Sequence, residues 1–202
     1  RVSVFYAAAR RKIPWHDYTF EKESDEGVDI YGLYNRPSLF LDMEHPEREV
    51  DDPEVRRTFR RFLAQVDPDI VHFYNLHNLG MSLAREAQAA GKPTIYSFCN
   101  YWLLCPRLYL FGPDLALCDG PSADGGKCAR CLGRPELAAD YAKRYQRALA
   151  VLDRDTDLVL AATRRVREIY LRCGAPPGKV RVLQQKLESL ETIWAETGRD
   201  RA

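Results

Sequence analysis

Cys105, Cys118, Cys128 and Cys131 carry the sharpest chemistry in this chain of 202 residues. Cys128-Ala129-Arg130-Cys131 is a Cys-x-x-Cys pair, and the other two cysteines lie in the same loop. Four thiolates suit tetrahedral Zn²⁺, with sulfur ~2.3 Å from the metal, and a shell closed by four sulfurs is structural rather than catalytic. Arg107, Lys127 and Arg130 favour thiolates electrostatically. A metal would also offset the chain entropy of ordering a loop rich in Gly, Pro and Asp. The same thiols admit an iron–sulfur cluster, two disulfides or no partner at all. A second group precedes and enters this loop. His72 lies in an apolar run, Asn75, His77 and Asn78 follow that run, and Asn100, Tyr101 and Trp102 follow the next one. Aromatic rings beside amides suit a carbohydrate, because C–H faces pack on rings while hydroxyls find polar partners. Each of these residues also has a purely structural reading. His72 reads as a satisfied core histidine, Asn78 as a helix cap, and Tyr101 and Trp102 as packing for the base of the loop. Ser3, Ser38, Ser82, Ser97 and Ser189 show no nucleophile-elbow pattern, and no Walker A loop is present. No independent catalytic constellation emerges.

These residues need elements to position them. Six short runs rich in β-branched or aromatic residues read as strands: 2–6, 28–33, 69–74, 93–98, 157–162 and 179–183. Several are continuously apolar, which suits strands covered on both faces. Helical patterns fill the intervals. One runs from Asp52-Pro53 to about Val66, and one from Asn78 to Ala90-Gly91. A third spans Pro135 to Leu152, and a fourth runs from Thr163 to Cys173-Gly174. Strand and helix alternate, so the expected fold class is α/β. The architecture is a Rossmann-like, doubly wound, mostly parallel sheet of about six strands with helices on both faces. Ligands then bind at the carboxyl edge, where Asn75, His77 and Asn100 fall. The loop 103–134 is too long for an ordinary connection and calls for its own stabiliser.

Composition excludes several classes. Hydrophobic residues make up 46% and charged residues 29%, as in an ordinary globular domain. Thirty basic against 29 acidic residues leave a net charge of +1, so no nucleic-acid partner is expected. No apolar run approaches a membrane span, and no signal peptide opens the chain. It starts at Arg1 on an apolar strand, as a trimmed or fused chain would. The expected location is cytoplasmic, at the inner face of the membrane if Arg56, Arg57, Arg60 and Arg61 meet anionic lipid there. Such charges are more often a solvated face.

Several stretches together carry a resemblance. They are 68–77 (Pro-Asp-Ile-Val-His-Phe-Tyr-Asn-Leu-His), 90–96, 100–107 (Asn-Tyr-Trp-Leu-Leu-Cys-Pro-Arg), Cys118-Asp119-Gly120-Pro121 and Cys128–Cys131. With 157–174 and 176–183 they resemble the N-terminal, acceptor-side domain of family-4 glycosyltransferases of the GT-B fold, in a subgroup with a four-cysteine loop. Relatives usually have His-Asp where Cys99-Asn100 stands, and asparagine cannot carry charge. Ala7 to Arg11 replaces their glycine-rich loop. The resemblance implies residues 1–186 as a Rossmann-like domain and 187–202 as linker or tail. The nucleotide-sugar donor would be held mainly by a C-terminal domain absent here. The implied activity is retaining transfer of a hexose to a glycan or lipid-linked acceptor, as in cell-envelope polysaccharide synthesis. This half would have no catalytic residue and would be inactive alone, because donor and acceptor are not brought together. Its acceptor contacts would be His72, Asn75, His77, Asn100, Tyr101 and Trp102. Structural zinc would sit on the four cysteines. The alternative is a non-catalytic glycan-binding or partner subunit.

Overall fold

The fold is described from a computed structural model for residues 1–8, 18–35 and 45–184. In chain order the elements are β1 (Ser3–Ala7), β2 (Phe20–Asp25), β3 (Val28–Leu33), α1 (Pro46–Val50) and α2 (Pro53–Val66). They continue with β4 (Val71–Phe73), α3 (Ser82–Ala89), β5 (Thr94–Phe98) and α4 (Gly126–Cys131). A short 3₁₀ turn (Pro135–Leu137) leads into α5 (Ala138–Asp153), followed by β6 (Leu158–Ala161), α6 (Arg164–Arg172) and β7 (Val180–Val182).

The expected α/β alternation is present, with a fully parallel sheet in the order β4-β5-β6-β7. Its register pairs Val71 with Thr94, Ile95 with Leu158, and Val159 with Val180. In β5, Tyr96, Ser97 and Phe98 are buried in succession. Successive side chains point to opposite faces, so both faces of this central strand are covered.

Two features differ from the expected single sheet of six strands. The described residues contain seven strands in two sheets, and the second has the order β1-β3-β2. The added strand β2 (Phe-Glu-Lys-Glu-Ser-Asp) runs antiparallel to β3. It lacks the apolar alternation that signals a strand, because it is an exposed edge, and charged residues protect such edges from pairing with other chains. Its turn, Glu26-Gly27, has φ of 46° and 81°. That pair of left-handed residues is what a two-residue hairpin turn demands.

Helix α2 joins the two sheets. Asp52 caps it by accepting from the backbone N–H groups of Glu54 (3.1 Å) and Val55 (3.3 Å), and Pro53 occupies its first turn. Val55, Phe59 and Phe62 recur on one face and are buried. The Phe59 ring lies 5.4 Å from Phe5 of β1 and 6.3 Å from Phe73 of β4, while Phe62 reaches Tyr31 of β3 at 5.1 Å. An aromatic stripe therefore closes the seam between the sheets.

Helix α3 starts later than its pattern suggests, and Asn78 is not its cap. Asn78 is buried with φ 63°, inside a turn in which the N–H groups of Leu79 and Gly80 both donate to the Leu76 carbonyl at 2.9 Å. Asparagine tolerates the left-handed region better than most residues, and that is its use here. The linker or tail expected at 187–202 lies outside the described residues, as do Arg10 and Arg11.

Candidate functional site

The carboxyl ends of β4 and β5 form the edge where ligands bind in such folds. Asn75 is exposed there, and its Oδ1 accepts from the backbone N–H of His77 at 3.0 Å, which fixes the turn. His77 is half-buried, with its ring 6.4 Å from that of Trp102. Asn100 is half-buried as well. Its Oδ1 accepts from the Trp102 N–H at 2.8 Å, and its carbonyl accepts from the Tyr170 hydroxyl at 2.9 Å. Tyr170 is itself sealed in the core, stacked on Phe98 at 3.4 Å and on Tyr101 at 6.0 Å. Rings from β5, the following loop and α6 thus lock Asn100 and Tyr101 in place. The structure brings Asn75, His77, Asn100 and half-buried Tyr101 onto one edge.

Two other expected site residues are placed differently. His72 is not a core histidine. It faces solvent on β4, which ends the parallel sheet, and its Nε2 pairs with the Ser97 Oγ at 2.8 Å. Partial burial holds its pKa below the usual imidazole value, which favours the neutral ring. The expectation of burial failed because an edge strand covers only some of its side chains. Tyr74, two residues on and therefore on the same face, lies ring to ring with His72 at 4.3 Å. Tyr74 is 52% exposed, an aromatic surface that sequence reasoning passed over.

Trp102 is the clearer correction, because at 0% exposure it cannot touch an acceptor. Its Nε1 donates to Glu49 Oε1 at 3.0 Å, which gives the buried indole the partner it requires. Arg144 of α5 is 2% exposed and covers the indole with its guanidinium 5.2 Å from the ring. Arg144 also pairs with Glu49 and donates to the carbonyls of Trp102 and, at 3.2 Å, Leu103. This plug of Glu49, Trp102 and Arg144 sets the floor of the loop that follows β5.

The cysteine loop follows directly. Tyr101 begins a turn whose carbonyl accepts from the N–H of Cys105 at 2.7 Å, and the Tyr101 N–H donates to Leu108 at 3.0 Å. Phe111 and Leu117 form an isolated antiparallel bridge, and Cys118 follows it. Cys128 and Cys131 stand three residues apart on α4, hence on one face. Cys105, Cys118, Cys128 and Cys131 are all among the residues around one cavity of about 380 Å³, together with Arg107 and Phe111. The four cysteines are free rather than disulfide-bonded. Burial pushes the Cys128 thiol up to about 11, with the Arg144 charge opposing and the neighbouring Cys105, Cys118 and Cys131 adding to the rise. Burial likewise raises Cys131, against Arg107 and with Cys105 and Cys118. Among the described residues, no group of three His, Cys, Asp or Glu is already gathered at ligand distance.

A parallel sheet with crossover helices and a polar carboxyl edge defines a Rossmann-like α/β domain. The chain belongs to the glycosyl transferase 4-like domain family, whose model matches residues 1–184. It is therefore a glycosyltransferase domain. Among solved structures it is similar to an α,α-trehalose-phosphate synthase (UDP-forming) from Burkholderia xenovorans, in complex with glucose-6-phosphate. That similarity has a TM-score of 0.51 at 8% identity and covers 100% of this chain and 46% of that one. The corresponding enzyme of Burkholderia vietnamiensis matches with a TM-score of 0.48 at 10% identity, over 98% of this chain and 48% of that one. The chain thus spans a little under half the length of these structures. No curated protein sequence matches it. No described helix is long and apolar enough to cross a membrane.

Proposed function

We propose that this chain is the acceptor-side half of a retaining, nucleotide-sugar-dependent glycosyltransferase that moves a hexose to a glycan or lipid-linked acceptor of the cell-envelope kind. The observation that carries the reading is the family match over 1–184 in a chain spanning under half of its structural relatives. In this proposal residues 1–186 are the acceptor domain, 187–202 lead to a donor domain, and that domain holds most of the nucleotide sugar. Asn75, His77, Asn100 and Tyr101 line the acceptor side, and the exposed His72–Tyr74 pair extends it along β4. Trp102 serves as floor rather than contact.

The test is a donor and acceptor screen of residues 1–202 beside the complete gene product. Turnover is expected only from the longer protein. Within it, Asn75→Ala and Asn100→Ala should each lower turnover by about 3–10-fold, the worth of one neutral hydrogen bond. Sugar transfer by residues 1–202 alone would refute the half-enzyme reading. Glycan binding with no transfer by either form would favour a non-catalytic subunit.

A membrane-bound acceptor would require peripheral contact. Helix α2 is poorly suited to supply it, since Arg56 pairs with Asp51 and Glu86, Arg57 with Glu54, and Arg60 with Glu86. The better-suited surface is the tip of the cysteine loop. There Tyr109, Phe111, Leu115 and Leu117 are 63%, 42%, 78% and 83% exposed, and Arg107 and Arg130 border the same cavity. Apolar side chains beside cations fit an anionic bilayer surface. Flotation with anionic vesicles should be lost in Leu115→Ser/Leu117→Ser and kept in Arg57→Gln. Unchanged flotation of the serine variant would rule the tip out.

A further inference from the structure

We infer that Cys105, Cys118, Cys128 and Cys131 hold one structural zinc ion that ties the loop tip and α4 to the turn bearing Asn100 and Tyr101. Three stretches of chain contribute. Cys105 closes the turn that Tyr101 opens, Cys118 leaves the Phe111–Leu117 bridge, and Cys128 and Cys131 share one face of α4. They meet at one cavity, and each is a free thiol.

The loop also needs a cross-link. Leu108, Leu110 and Leu115 have φ of 74°, 56° and 61°, conformations that bulky side chains rarely adopt. The only α-helix in the loop is six residues long. Metal–thiolate bonds are strong enough to repay such strain. The donor set selects the metal: four sulfurs, no imidazole and no open position match a closed structural zinc site.

Binding requires the four thiols to turn into the cavity they share. Each gives up its proton, so four protons leave as one Zn²⁺ enters and the site carries a net charge of −2. Neither Cys99 nor Cys173 lines that cavity. Cys99 is exposed after β5, and Cys173 ends α6 with its thiol on the Asp119 carbonyl at 3.6 Å.

The chain should be produced in zinc-supplemented medium, purified without chelator and analysed for metals. About one zinc per chain is expected. Cys128→Ser/Cys131→Ser should lose at least about nine-tenths of it, and Cys99→Ser/Cys173→Ser should keep it. If the loop variants do not fold, the wild-type chain still decides. Replacing zinc with Co²⁺ should give the intense visible absorption of a tetrahedral tetrathiolate site. Zinc near zero with all six thiols titratable, bound iron in its place, or disulfides among the four cysteines would each overturn the assignment. So would zinc content unchanged in Cys128→Ser/Cys131→Ser.

Discussion

Arg144→Leu is expected to destabilise the chain by about 3–5 kcal/mol, the usual cost of breaking a buried ion pair from one side. The reason lies in what remains. Glu49 is 5% exposed and would be left in the interior without its cation. The carbonyls of Trp102 and Leu103 would lose their donors in the interior. Leucine has nearly the right size, so the loss is electrostatic and not a cavity. For a chain of this size the melting temperature should fall by roughly 6–20 °C. Arg144→Lys should rescue little, because an ammonium cannot span a carboxylate and two carbonyls as the planar fork does. Glu49→Leu/Arg144→Leu should recover part of the loss, since replacing both members of a buried pair with apolar residues is often close to neutral. Recovery stays partial because Trp102 Nε1 would then lack its acceptor. Urea denaturation of the four proteins measures all of this. An Arg144→Leu variant within about 1 kcal/mol of wild type would show that the plug is not what holds the loop floor.

The same plug shows where sequence reading stops. Glu49 and Arg144 are 95 residues apart, and each sits among other charged residues that are solvated. Nothing local distinguishes a buried arginine from its exposed neighbours Lys143 and Gln146. Trp102 could therefore be read equally as a sugar platform or as packing, and its burial became legible only once its partners were placed. His72 erred in the opposite direction. An apolar run reads the same on a central strand as on an end strand, and only the sheet order reveals that β4 is an end.

The main architecture was legible because it depends on local repetition. Apolar runs alternate with helical periodicity from Asp69 to Val182, and the parallel four-strand sheet follows from right-handed crossovers. The hairpin strand β2 was hidden because its residues serve an exposed edge. The break between the two sheets was hidden because it is closed by rings from α2, a tertiary arrangement. That Asn75, His77 and Asn100 share one edge was legible through topology, since loops after parallel strands meet there whatever their sequence. The four cysteines were found by spacing, but α4 beneath two of them was not. Six residues are too few to show a helical period.

The docking of that short helix sets the second large expectation, which is that Gly125→Ala will cost roughly 3 kcal/mol or more. Gly125 precedes α4 with φ 72°, a conformation that costs an L-residue about 1–2 kcal/mol. A Cβ there would lie 2.0 Å from the Ala138 carbonyl oxygen and 2.4 Å from the Ala142 nitrogen. Both are backbone atoms of α5, so no side chain can turn aside, and overpacking adds about 1–3 kcal/mol. Gly133 offers a matched control just beyond the other end of α4. Its φ is 69°, yet nothing lies within 4 Å of its would-be Cβ. Gly133→Ala should therefore cost only the conformational part, about 1–2 kcal/mol. The difference between the two variants isolates the close approach of α4 to α5. That approach half-buries Cys128, so Gly125→Ala should also speed thiol labelling at Cys128 while Gly133→Ala leaves it nearly unchanged. Equal stability losses in the two variants, measured in urea, would mean that α4 does not rest on α5 through Gly125.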